Sequence, residues 1–293
     1  MREELSATLV LDVDAQLGEG PVWDDAQGTL IWVDIMGQAV HRFDPLTARD
    51  RTIDVGQPVG AAAARRDGQG LVLALRDGFA LLDERSGHVE LVAPVEADIP
   101  SNRMNDGKCD PRGRFWAGTM GFSENRGVGS LYRMDPDFSV HHMVGEVSVS
   151  NGLDWTADGR QMYYIDSPTR GVDVFDFEMD TGSLGERRRL ISLNPGDGAP
   201  DGMTLDDEGA LWVAVHGSGT VRRYLPNGTL DRLVRVPVAM VTSCAFGGPD
   251  LTDLYITTMQ YGMSADAKRA EPLAGALFHC RPGARGRPAH AFG

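Results

Sequence analysis

Glu19, Asn105, Asn151 and Asp201 are four oxygen-bearing side chains that recur at one place in a repeating pattern. Asn105, Asn151 and Asp201 each precede a turn glycine (Gly113, Gly159, Gly209) by eight residues, and Glu19 precedes Gly28 by nine. Carboxylate and amide oxygens are hard ligands. With no Cys or His among them the set suits Ca²⁺, Mg²⁺ or Mn²⁺ best, although carboxylates also take Zn²⁺. Gathered on one axis, they are a costly concentration of polar groups unless water or a cation satisfies them. They are too few to fill a Ca²⁺ shell, which leaves positions for water and substrate, as a catalytic metal requires. Taken singly, Asn151-Gly152 and Pro200-Asp201-Gly202 read as ordinary turn signals. The shared spacing gives Asn151 two roles: Gly152 turns the chain, and the turn aims the Asn151 oxygen.

The spacing belongs to a longer repeat. A short apolar run, a polar turn, a glycine and an aromatic-rich strand recur in "GPVWDDAQGTLIWVDI", "AAAARRDGQGLVLAL", "GKCDPRGRFWAGTM", "GLDWTADGRQMYYID" and "GMTLDDEGALWVAV", with a weaker sixth copy in "SCAFGGPDLTDLYITTM". The turn glycines Gly28, Gly70, Gly113, Gly159 and Gly209 are 42, 43, 46 and 50 residues apart, and Asp250 follows 41 further on. Each copy runs on into third and fourth strands such as "AVHRFDP", "GSLYRMDP" and "TVRRYLPNG", which end in turn residues. About four short strands in about 40–50 residues is the signature of a propeller blade. The expected fold is therefore all-β: a six-bladed β-propeller of about four antiparallel strands per blade around a central channel, a single domain over 1–293. A Greek-key β-sandwich is the alternative for strands at this spacing, but the constant internal phase disfavours it. WD-repeat signatures are absent from the required places. In a propeller the approach to each inner strand lines one channel mouth. At the phase of the four polar residues the second copy has Ala61 or Ala62, and the sixth Thr242 or Ser243. Residues 264–273 read as one short helix in a loop.

The remaining features exclude more than they suggest. A net charge of −14 argues against nucleic acid and anionic membrane surfaces as partners. No run approaches the ~20 apolar residues of a membrane span, and the acidic N-terminus, its apolar run broken by Asp12 and Asp14, does not read as a secretory signal. These point to a cytoplasmic protein. Cys109, Cys244 and Cys280 lack metal or redox spacing and read as free thiols in or near the core. His141 and His142 read as surface residues. A propeller closes within one chain, so a monomer is expected.

The stretches "LGEGPVWDD", "NRMNDGKCDPRGRFWAGTM", "GSLYRMDPD", "SNGLDWTADGRQMYYIDS", "PDGMTLDDEGALWVAV" and "TSCAFGGPDLTDLYITT" resemble the senescence marker protein/regucalcin/gluconolactonase family, in family order and over nearly the whole chain. The resemblance implies one divalent metal near the channel centre: Ca²⁺ first, with Zn²⁺, Mg²⁺, Mn²⁺ or Fe²⁺ as alternatives. It implies Glu19, Asn151 and Asp201 as ligands, Asp201 also as catalytic base, and Arg103 and Asn105 as substrate contacts. Glu124, the acidic residue after "GTM", is a further candidate contact. The implied reaction is hydrolysis of a sugar lactone (glucono-, galactono-, xylono- or arabinonolactone) to the aldonic acid. Two other classes share such sites: a broader esterase or organophosphate hydrolase, which needs an apolar pocket that Trp23, Phe122, Met120 and His216 could build, and a non-catalytic calcium- or sugar-binding propeller.

Overall fold

The turn glycines take the conformation that the repeat demands. Gly28, Gly113, Gly159 and Gly209 have φ of 64°, 79°, 64° and 78°, the left-handed region that costs glycine little. In the second copy Gly68, not Gly70, makes the equivalent turn. Its N–H donates to Arg65 O at 3.0 Å, as Gly113 does to Asp110 O at 2.9 Å and Gly209 to Asp206 O at 3.1 Å. This moves the second copy's axial position from Ala61 or Ala62 to Gly60.

The structure, a computed structural model, describes residues 3–293; residues 1 and 2 of the expected 1–293 domain lie outside the described residues. It is a six-bladed β-propeller of antiparallel sheets, each running from an innermost to an outermost strand. The innermost strands are Gly18–Asp24, Val59–Ala64, Asn102–Cys109, Ser150–Trp155, Ala199–Leu205 and Val241–Gly247. Each touches the next, and the last touches the first, which closes the ring. Burial follows position: Leu71–Leu75 and Phe115–Gly121, second strands, are buried throughout, whereas outermost Arg49–Asp54 is mostly exposed. The second strands accordingly read as continuous apolar runs.

The sixth blade is completed from the other end of the chain. Thr8–Leu11 pairs antiparallel with Leu277–Cys280 as its outermost strand. Glu3–Ser6 adds a parallel fifth strand to the fifth blade, beside Leu230–Arg235. The C-terminal segment crosses the ends of the inner strands where the turn glycines sit. Arg285 O accepts from Asp207 N at 2.8 Å, Arg287 Nη2 donates to Trp155 O at 2.6 Å, and Phe292 O accepts from Arg66 N at 2.9 Å. The expected short helix is present as Ala265–Ala270, capped by Ser264 Oγ. The three cysteines are free and buried, and both His141 and His142 are exposed. Among the described residues no helix is long and apolar enough to cross a membrane.

Buried aspartates tie turns to the aromatic core. Asp206 is fully buried; Oδ1 accepts from Glu208 N and Ala210 N, and Oδ2 from Trp212 Nε1 at 3.0 Å and Arg223 Nε at 2.7 Å. Asp110 repeats the arrangement two blades earlier with Arg112 N, Arg114 and Trp116 Nε1. Removing Asp206 leaves the Trp212 indole N–H, two backbone N–H groups and Arg223 Nε without their acceptor, while Arg223 keeps Asp231 and Glu208. Asp206→Ala is expected to lower unfolding stability by about 2–3 kcal/mol, the cost of leaving buried donors unsatisfied. Asp207→Ala, at the exposed neighbour, should change it by less than about 0.5 kcal/mol, both read from denaturant midpoints.

Candidate functional site

Every innermost strand slips register against its neighbour near the same level. The shifts fall between Glu19 and Val22, Val59 and Ala61, Met104 and Gly107, Ser150 and Leu153, Pro200 and Met203, and Val241 and Ser243. These are β-bulges, which bend a strand and re-aim a side chain. Asn151-Gly152 is therefore not a turn, contrary to the sequence reading; it is a bulge inside Ser150–Trp155. Gly152 serves close approach instead: a Cβ there would lie 2.7 Å from Asp201 O and 2.9 Å from Met203 N on the next blade. Gly202 is held likewise, 2.0 Å from Ser243 Oγ for an added Cβ.

All six sequence-predicted residues line one cavity of about 330 Å³ at the channel mouth: Glu19, Arg103, Asn105, Asn151 and Asp201 from the inner strands, and Glu124 from the segment after Gly121. Asn151 Nδ2 donates to Ser167 Oγ at 3.0 Å, and Ser167 Oγ donates onward to Pro200 O at 2.7 Å. Because the Ser167 proton is committed to Pro200, Ser167 can only accept from Asn151, and the Asn151 oxygen must face away. Asn151 Oδ1 and Asp201 Oδ1 are buried with no hydrogen-bond partner. Asn105 is fully engaged: Oδ1 accepts from Arg103 Nη1 at 2.7 Å and Nδ2 donates to Ser150 O at 2.8 Å. Arg103 lies 6.0 Å over the Phe122 ring.

Burial dominates the electrostatics. It holds the Glu19 carboxyl well above its ordinary range, with Asp201 and Asp106 adding repulsion and Arg103 opposing. Asp201 is raised as well, chiefly by burial and then by Asp106, with hydrogen bonding to Asn151 and Glu19 opposing the rise. Burial lowers Arg103 to about 10, against support from Glu19 and Glu124, so it stays cationic at neutral pH. His216, with Nδ1 3.8 Å from Asp201 Oδ2, is pushed down by burial and is neutral at pH 7.

These features pass a fit test for a divalent cation. Two orphaned oxygens and two buried carboxyls, both held above their ordinary range, share one wall, and a cation would satisfy both pairs. Glu19, Asn151 and Asp201 could hold it. The donor set is two carboxylates and an amide; among the described residues no three His, Cys, Asp or Glu side chains gather for a metal.

Two residues escaped the sequence reading. Ser167, which orients Asn151, is sixteen residues away on another element and carries no spacing signal. Asp106 was visible in "NDG", but only the bulge shows that it is buried beside Asn105. Trp23 does not line this cavity: it stacks on Tyr255 at 6.1 Å in the core. Met120 and His216 do line the cavity.

Asp106 is raised from 3.8 to about 6 by burial, with Lys108 opposing and Asp154 adding to the rise. A carboxyl that keeps its proton longer when folded contributes stability fully below pH 3.8 and loses it as pH rises through about 6. Asp106→Asn, which mimics the neutral acid, should match the parent near pH 4. At pH 7.5 it should exceed the parent by about 3 kcal/mol in denaturant unfolding of the metal-free protein.

The family model described as the SMP-30/Gluconolactonase/LRE-like region matches residues 17–260. Regucalcin of Xenopus laevis is 43% identical over 269 residues, covering 90% of each chain. The YvrE protein of Bacillus subtilis, described as a sugar lactone lactonase, is 39% identical over 275 residues, covering 94% of each. Among solved structures, a calcium-binding protein, regucalcin, from Agrobacterium tumefaciens superposes with a TM-score of 0.95 at 29% identity, over 99% of this chain and 98% of that one. The chain thus belongs to the SMP-30/gluconolactonase/LRE-like family.

Proposed function

We propose that this protein is a divalent-cation-dependent lactonase that opens a sugar lactone to its aldonic acid. One observation carries the reading. The orphaned oxygens of Asn151 and Asp201 lie in the same cavity as Glu19 and as the Arg103–Asn105 pair, so an electrophile-activating position and a polyol-binding wall adjoin. The lactonase and gluconolactonase names of relatives support it.

Glu19, Asn151 and Asp201 would hold the cation, with Ca²⁺ suiting the all-oxygen set best and Zn²⁺, Mg²⁺, Mn²⁺ or Fe²⁺ as alternatives. Such a cation supplies Lewis acidity toward a carbonyl oxygen and charge stabilisation for the oxyanion. Asp201 takes a proton from the attacking water as its oxygen bonds to the lactone carbonyl carbon. The ring C–O bond then breaks, and Asp201 returns that proton to the leaving ring oxygen, so one water is consumed and one hydroxy acid forms. Arg103 donates to substrate hydroxyl and ring oxygens through its fixed fork. Asn105 holds Arg103 in place and offers its remaining lone pair. His216, neutral, leaves the Asp201 charge uncancelled.

The broader esterase reading is weaker, because Trp23 belongs to the core and the cavity lacks that aromatic wall. The reading includes a monomer acting in the cytoplasm on a small molecule, with no nucleic-acid or membrane partner. Asp201→Ala is expected to bind no stoichiometric cation and to lose about 10³-fold or more in lactone hydrolysis, with circular dichroism unchanged. Full-rate, cation-dependent turnover by this variant sinks the assignment. Chelator-stripped protein should recover pH-indicator turnover of gluconolactone with at least one of Ca²⁺, Mg²⁺, Mn²⁺, Zn²⁺ or Fe²⁺ added singly; recovery with none removes the cation from the reaction.

A further inference from the structure

The cavity wall carries three carboxylates, Glu19, Glu124 and Asp201, and three guanidiniums, Arg103, Arg126 and Arg170. Arg103 is committed: it is buried, bonded to Asn105 Oδ1 and Met104 O, and it is the cation that faces Glu19 and Glu124. Arg126 and Arg170 are different. Both are exposed at the mouth, and among the described residues neither has a carboxylate within ion-pair distance. Arg170 Nη1 donates only to a neutral group, Gly198 O, at 3.2 Å. In a chain with fourteen more acids than bases, a wall that carries as many guanidiniums as carboxylates, two of them outside any ion pair, is locally enriched in positive charge.

Arg170 is also firmly placed. It closes the short 3₁₀ turn Ser167–Thr169 in the left-handed conformation, at φ 57°, with its N–H bonded to Ser167 O at 3.0 Å. Ser167 is the residue that orients Asn151. The backbone of Arg170 is thus tied to the inner site. Arg126 lies in the same connecting segment as Glu124, on the adjacent blade.

Counted formally, the three carboxylates and three guanidiniums of this wall cancel. A divalent cation on Glu19 and Asp201 leaves two positive charges in excess, and those are the two mouth arginines. We propose that the physiological substrate is an acid-bearing sugar lactone, with a carboxylate or phosphate remote from the ring carbonyl. Its anionic group sits on Arg126 and Arg170 while the ring lies against Arg103 and Asn105. Guanidinium forks match both anions in a way that a neutral hydroxymethyl group cannot use. The inference rests on the lactonase reading and narrows its substrate class.

The test compares neutral glucono-1,5-lactone, glucaro-1,4-lactone (carboxylate) and 6-phosphoglucono-1,5-lactone (phosphate) on cation-loaded protein, at low and high salt. At low salt one acidic lactone is expected to exceed the neutral one in kcat/KM by about ten-fold or more. That ratio should shrink as salt screens the mouth. In the Arg126→Ala/Arg170→Ala double variant it should fall to about one. The arm that shows the preference identifies carboxylate or phosphate. Equal or lower kcat/KM for both acidic lactones overturns the inference, as does a preference that survives the double variant. Calorimetric titration with gluconate, glucarate and 6-phosphogluconate reads the same site without turnover. Tighter binding of a doubly acidic product, lost in the double variant, supports the inference; equal binding of all three overturns it. No turnover of any lactone alongside retained acid binding overturns the lactonase reading alone.

Discussion

The innermost strands must pass so close to one another that side chains have little room between them, and the site follows from that constraint. Where neighbouring inner strands meet, glycine is required: Gly60 faces Asn105 O, Gly152 faces Asp201 O, and Gly202 faces Ser243. At each of these levels the strand also slips register, so a side chain that would have followed the regular pleat is turned toward the axis. Close approach and bulge together concentrate oxygens in the channel mouth. Neither feature alone does so: a regular strand would alternate these residues between the two faces of its blade.

That concentration has an electrostatic consequence. Glu19 and Asp201 are both buried, the charge of Asp106 raises both and that of Asp201 raises Glu19 further, and Arg103 is the only guanidinium that offsets Glu19 among the leading influences. Two carboxylates cannot both ionise there cheaply without a counter-charge. Their preference for protons is the preference for positive charge on which the proposed cation site rests. The orphaned Asn151 oxygen belongs to the same economy of donors. Its amide nitrogen is committed to Ser167, and the oxygen is left for whatever occupies the centre.

Much of this was legible in the residues. The eight-residue offset from Asn105, Asn151 and Asp201 to their turn glycines reflects a real structural equivalence, because the bulge and the turn lie on one strand whose length is set by the blade. The fold class followed from the same repeat. Other parts were not legible, for physical reasons. Asn-Gly signals a site that tolerates a small, polar, conformationally free pair, and both a hairpin turn and a bulge packed on a neighbouring strand satisfy that description. Gly68 and Gly70 are two residues apart, so only hydrogen bonds distinguish the turn glycine of the second blade. Closure of the sixth blade by Thr8–Leu11 joins residues separated by almost the whole chain, and no local period records it. Trp23 looked available for a pocket because sequence does not show which face of a strand meets the next blade.

The division of labour between strand and loop bears on how such a site can change its chemistry. Glu19, Asn105, Asn151 and Asp201 stand on strands locked by six-fold closure, so their positions cannot shift without disturbing a neighbouring blade. Arg126 and Glu124 stand on a connecting segment, and Arg170 on a short turn, where a substitution alters the mouth without repacking the ring. On the proposed reading the rigid inner ring, which carries Arg103 and Asn105 as well as the candidate ligands, would set the reaction, and the exposed connections would tune which substrate reaches it. On that argument the charge of the mouth can be altered by substitution at Arg126 or Arg170 without disturbing the ring that carries Glu19, Asn151 and Asp201.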